Sequence, residues 1–385
     1  MKVTMKTKAA LAACAALALV GVAAYAFQLM NGLGVTGMNN GTSWGLYIIM
    51  FMFFVGLSAG GLIVASSASV FNIKSFKKVA LPAIILSTVC ICCAGMFVLI
   101  DLGGVQRVWH MLLSPNLASP LLWDMCVITL YLAINVAYLF FMRRDGADSI
   151  SVARVSRVAL PVAILVHSVT AWIFGLQIAH EGWHSAILAP IFVASAMDSG
   201  LALLLVFLVA LRKAGVVELG KDLLGRLAGL LATCIAVDAY FIGCEVLTMA
   251  YPEAGGADTL SIMLSGATSP FFWFEMVLGL AVPFCILVFR KNRERTGLVM
   301  GACALVVLGV FAKRVWLLLT SFSHFNLGSG VTTGTVVAQI DPIAMWATAG
   351  SYAPTVVEVA VSIGVVSVGA LALALLSRAF LKRGK

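Results

Sequence analysis

Ionisable and aromatic side chains stand at points where long hydrophobic runs of this chain meet polar sequence. Asp101 ends one run, Arg107 and His110 follow within nine residues, and Trp123 and Asp124 stand near the start of the next run. Carboxylate, imidazole and indole groups form hydrogen bonds, and the first two also exchange protons. Such groups suit a ligand whose polar headgroup is bound at the membrane surface while its tail stays in lipid.

A quinone is one ligand of this kind, because it needs a hydrogen-bond partner at each carbonyl and a route for two protons. We predict that Asp101, with His110 or His167, takes these protons. A belt of interfacial tryptophans would explain the Trp side chains without a ligand, but it does not explain the acids. The candidates for contacts to the headgroup are Asn40, Trp44, Arg107, Trp123, Asp124 and Tyr131.

A second group of ionisable residues lies inside the hydrophobic runs. Charged side chains are costly at membrane depth, so they are functional candidates by default. Glu245 follows Asp238 by seven residues, which places both on one helix face. An inter-helix ion-pair network and a proton or ion path are both open explanations. The group comprises Asp198, Asp238, Glu245, Lys313 and Arg314.

The composition indicates an integral membrane protein. The 385 residues are 62% hydrophobic and only 11% charged, and the mean hydropathy is +1.07. Soluble chains carry about 25% charged residues. The net charge of +9 is divided among short clusters rather than one patch, so we expect lipid and no nucleic acid as a partner.

Hydrophobic runs of 18 or more residues are typical of transmembrane helices. Alternate loops between the runs hold 22 of the 25 basic residues, so the positive-inside rule predicts that both termini are cytoplasmic. The first run also fits a cleavable signal peptide, but its length of about 22 residues favours a retained helix. The predicted spans are 9–30, 45–71, 79–101, 119–142, 155–178, 187–211, 223–250, 271–290, 297–320 and 355–381.

Cysteine and histidine patterns argue against metal centres in this chain. The nine cysteines lie in hydrophobic runs; Cys90 and Cys93 have Cys-x-x-Cys spacing, but both fall within one predicted span, so we expect no iron–sulfur cluster and no disulfide framework. Only His167 lies well inside a span, whereas a transmembrane haem usually needs two axial histidines. Residues 180–184 match the zinc pattern H-E-x-x-H, but they include Gly182 and lack an obvious third ligand. We predict no haem and no metal site.

Two short motifs recur along the chain. SPLLWD at 119–124 is echoed by SPFFWFE at 269–275, and Ser58-Ala59-Gly60-Gly61 is echoed around Ser199-Gly200. Both pairs run in the same direction, which indicates a parallel repeat of two four-helix units. The predicted divisions are an N-terminal helix and outer loop at 1–44, a first unit at 45–178, a second unit at 179–320, and an outer loop with a C-terminal helix at 321–385.

In five blocks from Trp44 to the C-terminus, the sequence resembles the NrfD/PsrC family. These proteins are membrane subunits of polysulfide-reductase-like molybdoenzyme complexes. The blocks are WGLY…VGLSAGG, LIDLGGVQRVWHMLLSPN…SPLLWD, HSVTAWIFGLQ…SAILAPIFVASAMDSGLALL, SPFFWFEMVLGLAVP and SYAPTVVEVAVSIG.

The resemblance implies a menaquinone or ubiquinone site near the outer face of the first unit, with no redox centre in the chain. Electrons would pass to a ferredoxin-like iron–sulfur subunit, which serves a catalytic subunit with a molybdopterin cofactor on the outer side. Asp101 matches a family position implicated in quinone or proton handling. The family histidine before the Gly-rich helix has no clear counterpart, since this region reads Asn39-Asn40-Gly41-Thr42-Ser43-Trp44. The second headgroup ligand therefore stays open.

The sequence thus predicts an all-α protein with ten spans in the bacterial cytoplasmic (inner) membrane. As a non-catalytic subunit of a multisubunit oxidoreductase, it would oxidise quinol or reduce quinone. The alternative is a secondary transporter or a proton-translocating membrane protein, which the ionisable residues inside the spans would serve.

Overall fold

The computed structural model describes residues 5–39, 41–71, 73–251, 256–323 and 352–381. Within these ranges, ten helices are long and apolar enough to cross a membrane. They are α1 (Met5–Asn31), α2 (Leu46–Val70), α3 (Lys74–Asp101), α4 (Pro120–Asp145), α5 (Ile150–Gly175), α6 (Leu188–Lys213), α7 (Lys221–Ala250), α8 (Ser269–Leu287), α9 (Thr296–Ser323) and α10 (Val356–Leu381).

The all-α class and the ten predicted spans are confirmed, with most boundaries within three residues of the prediction. The largest differences are the starts of α3 and α5, which lie five residues earlier than predicted. Both early turns carry basic residues, among them Lys77 and Arg154. Long basic side chains reach the interface while their apolar stems stay against the helix, so a helix continues past the end of its hydrophobic run.

The loops that join the ten helices reach two faces. The face reached by residues 71, 73, 146–149, 214–220 and 288–295 carries most of the basic residues in the described ranges and is called the basic face here. An exposed ion pair between Lys77 and Asp148, 2.6 Å long, lies on it. Residues 32–39, 41–45, 102–119 and 176–187 lie on the opposite face.

Helix α2 lies at the centre of the packing and contacts α3, α5, α6, α9 and α10. Its closest approach to α6 is at Gly60 and Gly200, where a Cβ on Gly60 would overlap the backbone of Gly200. Small residues at such crossings let helix backbones approach closely in membranes. The two Gly-containing motifs found in the sequence therefore face each other.

Helices α1 and α10 form a pair at the edge of the molecule. Gly21 and Gly364 bring their backbones into contact, and α10 also packs against α3. Only 11% of the most hydrophobic stretch of α1 is buried. Most of α1 therefore faces away from the other helices, and few of its side chains point into the bundle.

Helix α8 changes its winding along its length. Residues Ser269–Trp273 and Val282–Leu287 are α-helical, whereas Phe274–Ala281 form a π-helix. Gly279 in this segment is in backbone contact with Gly309 of α9. π-helical segments are rare and are frequent at functional sites.

The start of α8 resembles the start of α4. Trp123 Nε1 donates to Leu117 O at 2.7 Å, and Trp273 Nε1 donates to Leu264 O at 3.0 Å. Each tryptophan thus ties the first turn of its helix to the polypeptide before it. The parallel repeat and the boundaries of the two four-helix units stay predictions.

Candidate functional site

Four polar side chains from four helices gather where α3 ends, and we call them the Asp101 cluster: Gln28, Tyr47, Asp101 and Glu358. Asp101 is half-buried and lies within electrostatic range of Tyr47 and Glu358. Its Oδ1 atom is buried and accepts no hydrogen bond from the described part of the chain. A buried oxygen of this kind needs a partner, so Asp101 has the capacity to bind a ligand hydroxyl.

Gln28 bridges two helices of this cluster. Its Nε2 donates to Ile100 O in the last turn of α3 at 3.3 Å, and its Oε1 accepts from the Tyr47 hydroxyl at 2.5 Å. Gln28 is 2% exposed and Tyr47 is 0% exposed. One amide therefore connects the backbone next to Asp101 with the first turn of α2.

Glu358 connects the start of α10 to the loop that precedes α2. Its carboxylate accepts from Gly37 N, Thr355 N and the Tyr352 hydroxyl at 2.7–2.8 Å. The Tyr352 hydroxyl accepts in turn from Leu46 N at 2.7 Å. Burial, together with the hydrogen bond to Glu358, raises the pKa of Tyr352, so the phenol stays a donor. The buried Glu358 carboxylate thus holds Gly37 and, through Tyr352, Leu46 against the start of α10.

The predicted headgroup residues do not form one group. Asn40 lies outside the described residues. Trp44 belongs to an aromatic cluster, in which it stacks on Trp183 with centroids 6.0 Å apart and meets Phe174 edge-on at 5.6 Å. Arg107 and His110 are exposed on the 102–119 loop. An open groove of about 320 Å³ there is lined by His110, Met111, Ser114, Asn116, Ser119 and Leu122.

Asp124 and Tyr131 of α4 both bond to neighbouring helices. Asp124 is 5% exposed and accepts from Thr170 of α5 at 2.6 Å. Tyr131 lies eleven residues into α4, where its hydroxyl donates to Ser58 O at 3.1 Å and lies 3.0 Å from Ser87 Oγ. Tyr131 therefore lies in the interior between α2, α3 and α4 rather than at the end of a helix.

The H-E-x-x-H segment has a packing role in this structure. Residues 180–184 form turns rather than a helix, so His180 and His184 do not share a helix face. Trp183 is 2% exposed and donates to Leu317 O at 2.8 Å. The described residues contain no group of three or more His, Cys, Asp or Glu placed to hold a metal ion.

Five charged residues meet in the interior between helices α6, α7, α8 and α9, which we call the second half of the molecule. We call these residues the central charge cluster: Asp198, Asp238, Glu275, Lys313 and Arg314. Each is at most 1% exposed. Lys313 Nζ lies 2.6 Å from Asp238 Oδ2 and 2.9 Å from Glu275 Oε1. Trp316 donates to the other Glu275 oxygen at 2.6 Å. Counted along their helices, the acids lie about 9–18 Å from the opposite face.

Arg314 extends the central charge cluster toward the first half. Its Nη2 donates to Ser195 Oγ at 2.7 Å, and its guanidinium lies 4.2 Å from the Phe192 ring centroid, in a cation–π contact. His167 is 1% exposed and within electrostatic range of Arg314. His167 thus neighbours this cluster. Within the cluster, Asp198 accepts no hydrogen bond from a side chain in the described ranges.

Glu245 is separate from these ion pairs although it shares a helix with Asp238. Its carboxylate accepts from Ser185 at 2.7 Å, close to the opposite face, and it is half-buried. A cavity of about 20 Å³ lies between Glu245 and Trp316. That volume is enough for about one water molecule. A water molecule there would lie between Glu245 and Trp316, and Trp316 donates a hydrogen bond to Glu275.

The charge count of the central cluster is uneven. Three carboxylates face two cations, which leaves a formal charge of −1 when all five are ionised. Buried charges are tolerated when they are paired, and one bound proton would make the cluster neutral.

Sequence reasoning missed Gln28, Tyr47, Glu275 and Glu358 as site residues. The signal for Glu275 was present, since it is a carboxylate inside a hydrophobic span, but we read it only as part of a repeated motif. Glu358 stands in the SYAPTVVEVAVSIG block, third in its helix. Gln28 and Tyr47 carry no charge at neutral pH, so a pattern of charged residues in hydrophobic runs does not include them.

The fold and these two clusters define the class: an all-α protein with ten candidate membrane spans and polar groups buried between them. The family model for polysulphide reductase NrfD matches residues 34–326. The chain belongs to the NrfD family.

Three similar proteins match this chain over most of their own length. A putative dimethyl sulfoxide reductase membrane subunit of Halobacterium salinarum is 36% identical, over 93% of this chain and 87% of its own. A selenate reductase subunit of Mesobacillus selenatarsenatis is 27% identical, over 91% of this chain and 89% of its own. An Hdr-like menaquinol oxidoreductase integral membrane subunit of Archaeoglobus fulgidus is 29% identical, over 77% and 75%.

Proposed function

We propose that this protein is the membrane subunit of a multisubunit oxidoreductase and that it oxidises quinol, or reduces quinone, at Asp101. The names of its relatives support a reductase complex, and one of those names includes menaquinol. The observation that carries the proposal is the buried Oδ1 of Asp101, which lies at the end of a membrane span and has no hydrogen-bond partner among the described residues. A quinone headgroup would lie at this depth with its tail in lipid.

The chemistry assigned to this chain is binding and proton transfer. A bound quinol supplies two electrons and two protons and leaves as quinone. Asp101 accepts a hydrogen bond from a quinol hydroxyl and then its proton, because a carboxylate is a competent general base. Both protons leave to water, the first by way of Asp101; His110, exposed on the adjacent loop, serves as the relay, and the exposed Arg107 supplies positive charge there. Electrons pass to an iron–sulfur subunit on the outer side, which serves a molybdopterin catalytic subunit.

Substitution Asp101→Asn tests this assignment. The amide keeps the shape but no longer acts as a base, so quinol turnover of the purified complex should fall about 100-fold or more. The variant protein should remain in the membrane at normal yield. Asp148→Asn, an exposed acid on the basic face, is the matched control and should leave turnover unchanged. Normal turnover by Asp101→Asn would refute the role of Asp101.

A second candidate function, proton translocation, is favoured by the central charge cluster. Five buried charges with a formal excess of one negative charge, next to a hydratable cavity, could carry a proton across the second half. A secondary transporter would use the same groups.

Reconstituted liposomes separate proton translocation from quinol turnover. Glu275→Gln removes one proton-binding group, so in liposomes whose lumen contains the basic face, a pH-sensitive dye in the lumen should report no quinol-driven acidity change. Quinol turnover, with its proton release at Asp101 outside the liposome, should continue. Asp258→Asn, an exposed acid on the short helix Ala257–Ser265, serves as the control. Unaltered proton movement in Glu275→Gln would refute this second function.

A further inference from the structure

The Asp101 cluster is completed by two helices from opposite ends of the chain. Gln28 belongs to α1 and Glu358 belongs to α10. The family model matches residues 34–326 and so includes neither residue. The function proposed above assigns them no role. Gln28 nevertheless bonds to Tyr47 and to the backbone next to Asp101, and Glu358 lies within electrostatic range of both of these side chains, which a headgroup would meet.

Gln28 is an unusual residue for its helix. Most of α1 is lipid-facing by its burial, yet this amide is 2% exposed and points into the bundle. Burying an amide is unfavourable unless it is hydrogen-bonded, and Gln28 uses its donor on Ile100 O and its acceptor on the Tyr47 hydroxyl. It therefore fixes Tyr47 relative to the α3 turn that carries Asp101.

Glu358 combines a structural contact with a charge. Its four hydrogen bonds, from Gly37 N, Thr355 N, Thr355 Oγ1 and the Tyr352 hydroxyl, hold the loop that leads into α2. Tyr352 lies against Gly45, where a Cβ would overlap its ring. The carboxylate is 0% exposed and lies within electrostatic range of both Asp101 and Tyr47.

We infer that Gln28 and Glu358 are positioning residues of the headgroup site and hold Asp101 and Tyr47 toward one ligand. The inference rests on the proposed quinone function. Orientation of this kind strongly affects the reaction rate, because a shift of about 1 Å in a reacting group can lower the rate about 100-fold. The helices outside the family match are thus part of the site.

A double-mutant cycle in the intact complex tests the inference. The probe is a short-chain naphthoquinol analogue, whose Kd and kcat/KM are measured with the purified complex. Gln28→Leu and Glu358→Gln should each weaken Kd and lower kcat/KM roughly 10-fold. Because they act in part through Asp101, their effects on Kd should be less than additive with that of Asp101→Asn.

Two control variants separate positioning from general destabilisation. Ser377→Ala lies near the other end of α10 and bonds only to its own helix, at Leu373 O, among described residues. Gly309→Ala disturbs the α8–α9 contact at Gly279, on helices that carry no residue of the Asp101 cluster. The first should change nothing, and the second should lower thermal stability while leaving Kd unchanged. If Glu358→Gln does not assemble, Gln28→Leu decides the question alone.

The outcomes of the cycle are distinct. Effects that add fully to that of Asp101→Asn, or an unchanged Kd in both variants, overturn the positioning role. If Asp101→Asn impairs turnover while Gln28→Leu and Glu358→Gln do not, only this inference fails. If Asp101→Asn itself changes neither turnover nor Kd, the proposed function at this site fails with it.

Discussion

At the scale of single residues, Lys313 forms ion pairs with two buried acids at the same time. Asp238 and Glu275 approach its ammonium at 2.6 and 2.9 Å, and all three side chains are fully buried. Removing one partner of a buried ion pair typically costs about 3–5 kcal/mol, because an uncompensated charge remains. Lys313 therefore supplies the cation that both buried carboxylates share.

Substitution Lys313→Met should destabilise the protein by about 3 kcal/mol or more, since it leaves Asp238 and Glu275 without their shared cation. Thermal unfolding in detergent measures the effect. Lys77→Met removes the exposed pair with Asp148 and should cost less than about 1 kcal/mol. Adding Asp238→Asn to Lys313→Met should restore part of the loss. Equal stability of Lys313→Met and Lys77→Met would contradict this account.

The sequence predicted the residues of the two clusters unevenly. Asp101, Asp198, Asp238, Lys313 and Arg314 could be found because each is a charge within or at the end of a hydrophobic run. Their partners could not, because Lys313 meets Asp238 across 75 positions and Gln28 meets Ile100 across 72. Such pairings depend on how helices pack, which no local pattern shows.

At the scale of helices, close backbone contacts set the relation between the two halves. Gly60 on α2 and Gly200 on α6 lie in direct contact, and the π-helical segment of α8 meets α9 at Gly279 and Gly309. The positions of the spans follow from hydrophobic run lengths and were predictable. The π-helical winding, which places Glu275 beside Lys313 and Trp316, was not predicted, since it has no periodic signal of its own.

Substitution Gly60→Ala should destabilise the protein by about 1–3 kcal/mol, the usual cost of overpacking. The added methyl group would overlap the backbone of Gly200, so α2 and α6 would have to separate. Gly95→Ala on α3 is the matched control, because no other atom lies within 4 Å of its Cβ position among described residues. Thermal unfolding of both variants checks the prediction, and equal stabilities would refute the contact.

At the scale of the whole molecule, the two clusters would carry separate parts of the proposed function. The Asp101 cluster lies at the opposite face, between helices α1, α2, α3 and α10, and the central charge cluster lies deeper, between α6, α7, α8 and α9. Quinol chemistry would occur at the first and proton movement at the second. The orientation predicted from the basic loops places the first cluster on the outer side, where an iron–sulfur partner would receive electrons.

The most direct test of the central claim is affinity purification of this protein from gently solubilised membranes, with mass spectrometry of co-purified proteins and of extracted lipids. We predict an iron–sulfur protein, a molybdopterin-type catalytic subunit, and menaquinone or ubiquinone in amounts comparable to the purified protein. The Asp101→Asn variant should retain the protein partners and lose bound quinone. Recovery of the protein alone, with neither partners nor quinone, would contradict the electron-transfer function and favour a transporter.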